Sequence, residues 1–152
     1  MPRYFAYCTL LDTEEMKRFC PHAQPAVVAR LTGYRVAFDQ YGADQLGGGC
    51  NLHQEAGHEI FGLVYDLSDE EFDELDRISG VDRGYYERVP FIVSRGDGGE
   101  VLAATYVMPH PGGPFRPTSA YTRPILAGAA ALDLPTGYQS ELTDIVHAAT
   151  GD

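Results

Sequence analysis

The run Tyr4-Phe5-Ala6-Tyr7-Cys8-Thr9-Leu10-Leu11 opens aromatic and apolar and then changes character at Cys8-Thr9. Its first half reads as a buried first strand. Asp12-Thr13-Glu14-Glu15 follows; Asp12 or Thr13 suits a helix N-cap, and the two glutamates suit the positive end of the helix. A strand that turns directly into a capped helix leaves Cys8, Thr9 and Leu10 on a tight loop with unpaired backbone N–H groups. Such groups cradle a carboxylate or a developing oxyanion. Cys8 has two readings there. A thiol beside free N–H groups and a helix N-terminus is a nucleophile with a lowered pKa. A free cysteine is also a small residue that packs well in a core, and the sequence places no histidine beside it. His53, His58 and His110 show no metal-ligand spacing, so no metal is expected.

The elements that must position this loop come next in the chain. A helix over residues 13–19 is stopped by the prolines of Pro21-His22-Ala23-Gln24-Pro25. Residues 26–31 and 34–38 read as consecutive short strands split by Thr32-Gly33. Residues 41–49 are polar and end in Gly47-Gly48-Gly49, which suits a mobile loop or a close backbone approach. Residues 50–53 and 59–67 are expected to pair as a hairpin that turns at Gly57. Ser68 and Glu71 form a capping box for a helix over 69–79, in which Phe72, Leu75 and Ile78 share a face and Gly80 marks the end. Residues 85–93 read as a strand with Pro90 at an edge or bulge, returning through Gly96-Asp97-Gly98-Gly99 as 101–108. Helices over 123–131, with Pro124 in its first turn, and 136–149 close the chain. Strands grouped before and between helices predict an α+β domain with a small barrel or curved sheet flanked by helices.

Composition narrows the function. With 44% hydrophobic residues, a chain of 152 residues buries one sizeable core and fits a single domain. A formal charge of −11 without any basic cluster argues against nucleic acid and anionic membrane surfaces, leaving small molecules as the expected partners. Three cysteines without C-x-x-C spacing imply neither a disulfide framework nor zinc, so reduced thiols in a cytoplasm are expected. Met1-Pro2-Arg3 leads straight into the first strand, leaving no room for a secretion signal. No run approaches the roughly 20 apolar residues of a membrane span.

The order of these pieces resembles the gamma-glutamylcyclotransferase-like proteins, which include the AIG2-like group. The opening run is similar to that family's Y-F-A-Y-G-S-N or Y-G-T-L start. Gly57-His58-Glu59-Ile60-Phe61-Gly62-Leu63-Val64 resembles its G-x-x-V-x-G-x-V segment, and Leu75-Asp76-Arg77-Ile78-Ser79-Gly80 its L-D-x-x-E-G. Tyr85-Tyr86-Glu87-Arg88-Val89 resembles the aromatic strand that follows, and Leu134-Pro135-Thr136-Gly137-Tyr138 the L-P-x-x-Y tail. The resemblance covers nearly the whole chain. It implies that the loop after the first strand, Tyr7 to Leu10 here, holds a γ-glutamyl group, and that Tyr86, Tyr106 and Tyr121 line the pocket. It also implies that the substrate's α-amine closes on its own side-chain carbonyl, releasing 5-oxoproline without a cofactor.

Two departures bear directly on that chemistry. Ser79 stands where the family's proton-shuttling glutamate is expected, and Cys8 stands where the loop has glycine. General acid–base assistance is worth about 10²- to 10⁴-fold, so another group must replace it for full activity. Cys8 and Ser79 are themselves candidates, with Asp82 on the turn after the helix, Glu87 in the aromatic strand, and Asp76 one helical turn before Ser79. The alternative is a catalytically silent member that kept the pocket and lost the base.

Overall fold

A computed structural model describes residues 1–43 and 47–151. The strands β1 (Arg3–Ala6), β2 (Gln24–Gln40), β3 (Gly48–Asp66), β4 (Glu87–Arg95) and β5 (Glu100–Val107) close into a barrel in the order β1-β3-β2-β4-β5. β5 returns to β1 in parallel at Tyr4↔Ala104, and the remaining pairings are antiparallel. Among the described residues, four helices flank the barrel: α1 (Thr13–Phe19), α2 (Asp69–Ile78), α3 (Ser119–Ala131) and α4 (Thr136–Thr150). No helix among the described residues is long and apolar enough to cross a membrane.

The expected hairpin at Gly57 does not form. Residues 48–53 and 59–66 are two halves of one strand, and both pair with β2, which is likewise one strand rather than two. The register jumps from Thr32↔Glu59 to Tyr34↔Gln54, so residues 55–58 bulge opposite Gly33. Gly57 serves that bulge at φ +85°. The physical reason is burial: pairing with β2 buries Leu31, Val36 and Phe38 together with Ile60, Leu52 and Cys50. A self-paired hairpin would leave the apolar positions of β2 without a partner. The turn between β2 and β3 is therefore the glycine-rich segment, of which residues 44–46 lie outside the described residues.

Other boundaries move for local reasons. β1 stops at Ala6, and Thr9–Leu11 forms one turn of 3₁₀ helix closed by Leu11 N–H to the Cys8 carbonyl at 3.1 Å. Asp12 caps α1, its carboxylate accepting from Glu14 N–H at 3.0 Å. Ser68 caps α2, its hydroxyl accepting from Glu71 N–H at 3.1 Å, while Phe72 and Leu75 are buried. α3 begins earlier than expected because Thr118 caps it, accepting from Tyr121 N–H at 3.2 Å. Pro124 consequently lies inside the helix rather than in its first turn.

The expectation of three reduced thiols is corrected. Cys8 and Cys50 are joined as a disulfide with Cα atoms 6.3 Å apart, and Cys20 is free and buried. Spacing along the chain carried no sign of this pairing, because the bend that brings the two cysteines together belongs to the β2–β3 ribbon.

Candidate active site

The turn after β1, the end of α2 and the start of β3 converge on a cavity of about 320 Å³, a volume in the range of small-molecule sites. Tyr7, Cys8, Thr9 and Leu10 form one wall and Ser79 another, and the rings of Tyr86, Tyr106 and Tyr121 complete it. Tyr4, Phe19, Tyr41, Cys50, Ile78 and Thr105 also line it and were not singled out from the sequence. Tyr4 was legible in principle, as an aromatic residue in the strand that leads into the loop.

Most of the tyrosine hydroxyls hold the frame. Tyr7 donates to the Tyr106 carbonyl at 2.7 Å, and Tyr65 donates to the Leu10 carbonyl at 2.7 Å, pinning the turn to β3. Tyr86 donates to the Cys50 carbonyl at 2.6 Å, while Tyr121 accepts from Cys50 N–H at 3.1 Å. These two rings come so close that Gly49 has no room for a side chain: a Cβ there would stand 2.6 Å from the Tyr121 hydroxyl and 2.7 Å from that of Tyr86. Tyr41 stacks on Tyr85 with ring centroids 4.3 Å apart, and the Arg83 guanidinium covers the Tyr85 ring at 4.9 Å. That stack explains why β4 starts at Glu87 rather than Tyr85.

The groups left over can meet a ligand. Among the described residues, the hydroxyls of Tyr4, Thr9 and Ser79 and the backbone N–H groups of Thr9 and Leu10 have no hydrogen-bond partner. Tyr4 as a whole is only 6% exposed, and it lines the hollow. Burial pushes the pKa values of Tyr4, Tyr7, Tyr86 and Tyr106 up, and that of Tyr121 up to about 12, so all five stay neutral at physiological pH.

Among the described residues, none that lines the cavity carries a formal charge. Cys8 offers no thiol, because its sulfur is bonded to Cys50. Asp82 is exposed on the 3₁₀ turn Val81–Arg83 and faces a separate groove with Asp73, Asp76 and Arg77. Glu87 is exposed at the start of β4. Asp76 stands behind Tyr106, receiving its hydroxyl at 2.5 Å and pairing with Arg88 at 3.0 Å. His53 is engaged elsewhere, 2.6 Å from Asp39, and His58 faces Glu55 at 3.8 Å. A larger surface groove of about 490 Å³ runs between β2 and α4; its Arg35 is already paired with Glu55 at 2.8 Å.

A closed five-stranded barrel with flanking helices and a hollow behind the first βα turn is the gamma-glutamylcyclotransferase-like fold, and a solved gamma-glutamyl cyclotransferase shares it. That structure superposes with a TM-score of 0.85 at 30% identity, over 93% of this chain and 86% of that one. The chain belongs to the AIG2-like family, whose sequence model matches residues 59–142. The gamma-glutamylcyclotransferases of Mus musculus and Homo sapiens are each 31% identical over 147 residues, covering 93% of this chain and 77% of theirs.

Proposed function

We propose that this protein is a gamma-glutamylcyclotransferase-like enzyme that binds a small γ-glutamyl or related amino-acid amide in the tyrosine-lined cavity and releases an amine by cyclising the acyl part. The observation that carries the reading is the pair of unpaired N–H groups at Thr9 and Leu10, which line the same cavity as the free hydroxyl of Ser79. The N–H groups receive the carbonyl oxygen as it becomes an oxyanion; one donor of this kind is worth about 10²- to 10³-fold. Ring closure is intramolecular, so holding the chain folded supplies much of the remaining acceleration.

The proton balance fits a hydroxyl. The substrate amine first loses a proton to water. The neutral nitrogen then attacks the carbonyl carbon, and the Ser79 hydroxyl accepts the proton of the attacking nitrogen while giving its own to the departing nitrogen. Serine ends as it began. Such a relay lacks the basicity of a carboxylate, so turnover is expected to be slow.

A second reading, a silent binding protein, is favoured by the uncharged lining that the described residues give the cavity. Measuring 5-oxoproline release from a panel of γ-glutamyl amides separates the two. The enzyme reading expects turnover that falls in Ser79→Ala and rises by about 10²- to 10⁴-fold in Ser79→Glu. Ligand binding without turnover in the wild-type chain would establish the silent protein. The absence of both binding and turnover across the panel would remove the γ-glutamyl assignment itself.

A further inference from the structure

A disulfide inside a ligand cavity is itself a reactive group. We propose that the Cys8–Cys50 bond is a redox-active site at which a small aliphatic thiol entering the cavity undergoes thiol–disulfide exchange. This inference needs the cavity but not the cyclisation reaction.

Both cysteines line the hollow, and they differ in exposure: Cys8 is half-buried and Cys50 is 2% exposed. An incoming thiolate therefore meets the Cys8 sulfur first. Its attack forms a mixed disulfide on Cys8 and breaks the bond to Cys50, which leaves as a thiolate and takes a proton from water. A second thiol attacks the ligand sulfur of that mixed disulfide and expels Cys8 as a thiolate, which is then protonated. The two small thiols end joined as their own disulfide, and two electrons and two protons rest on Cys8 and Cys50.

The surroundings suit each step. The Tyr121 hydroxyl lies 3.5 Å from the Cys8 sulfur. A disulfide sulfur carries no hydrogen, so Tyr121 is the donor, and its proton remains available to the Cys8 thiolate expelled in the second step. Cys50 is held in place by its backbone hydrogen bonds to Tyr86 and Tyr121, so the bond can open without β3 leaving its position. Cys20, by contrast, is fully buried and burial pushes its thiol up to about 11, making it an internal control that reacts poorly.

The test is intact-mass analysis and peptide mapping of the folded protein treated with cysteamine, with circular dichroism recorded on the same samples. The expected result is a mass rise of one cysteamine located on Cys8, followed by loss of the adduct and two new thiols, with Cys20 unlabelled and the spectrum native. In Tyr121→Phe the Cys8 adduct should persist longer, because its leaving thiolate has lost a donor. For Cys50→Ser, cystamine should place a stable adduct on Cys8 and none on Cys20. The proposal is overturned if the bond resists cysteamine until denaturant is added, if labelling reaches Cys20 as fast as Cys8, or if the purified protein carries free Cys8 and Cys50 thiols that cystamine leaves unchanged.

Discussion

Cys8 and Cys50 meet with Cα atoms 6.3 Å apart, although Leu63, the partner of Ala6, is thirteen residues beyond Cys50 on β3. A straight strand of that length would separate them by roughly 40 Å. The β2–β3 ribbon must therefore curl back over the end of β1, and the bulge of residues 55–58 opposite Gly33 lies within the intervening stretch. The site exists because this ribbon bends.

Breaking the cross-link should cost stability. The disulfide spans a sequence separation of 42, for which loop-closure entropy in the unfolded chain gives about 4 kcal/mol. Cys8→Ala/Cys50→Ala is expected to unfold at a lower urea midpoint than the wild-type chain, and added reductant should lower the wild-type midpoint while leaving the double variant unaffected. Equal midpoints for the oxidised wild type and the variant would contradict this.

Gly49 should tolerate no larger residue while both tyrosines keep their hydroxyls. Gly49→Ala is expected to cost about 1–3 kcal/mol, as overpacking does, since the new methyl meets the oxygens of Tyr86 and Tyr121. Removing those oxygens with Tyr86→Phe and Tyr121→Phe should reduce the penalty of the alanine, a non-additivity that a mutant cycle in urea measures directly.

Tyr106 ties the cavity to the nearby acid. Its hydroxyl donates to Asp76, whose other oxygen faces Arg88, and a hydrogen bond to a charged group is worth about 1.5–3 kcal/mol. Tyr106→Phe should lose about that much stability by denaturant titration. In an Asp76→Asn background the same substitution should cost less, because the charge that strengthens the bond is gone.

Alkaline pH should unfold the protein from the inside. Burial raises the folded pKa values of Tyr4, Tyr7, Tyr86, Tyr106 and Tyr121 above the ordinary value of 10.0. Below pH 10 these tyrosines are neutral in both states, so stability there is insensitive to them. Above it the unfolded chain gives up protons that the folded chain retains, and stability falls with rising pH by up to about 1.4 kcal/mol per unit for each such group. The share of tyrosinate absorbance due to these five, read as the difference from variants with the five replaced by phenylalanine singly, should appear together with loss of the native circular dichroism; their ionisation in a still-folded protein would refute it.

The sequence by itself determined the elements whose signals are local. The Ser68–Glu71 cap, the helix behind it, the turn at Gly96-Asp97-Gly98-Gly99 and the strand-to-helix turn at Cys8-Thr9-Leu10 all rest on contacts between near neighbours in the chain. The family was legible for the same reason, since its motifs are short runs in a fixed order. Tertiary structure alone decided that Gly57 makes a bulge instead of a hairpin, because the partner that wins, β2, competes through burial across the whole ribbon. It alone decided that Cys8 is bonded to Cys50, that Tyr4 lines the hollow, and that Asp82 and Glu87 are exposed outside its lining. Those outcomes depend on how a closed barrel curls, a property shared by five strands at once and encoded in no single segment of the chain.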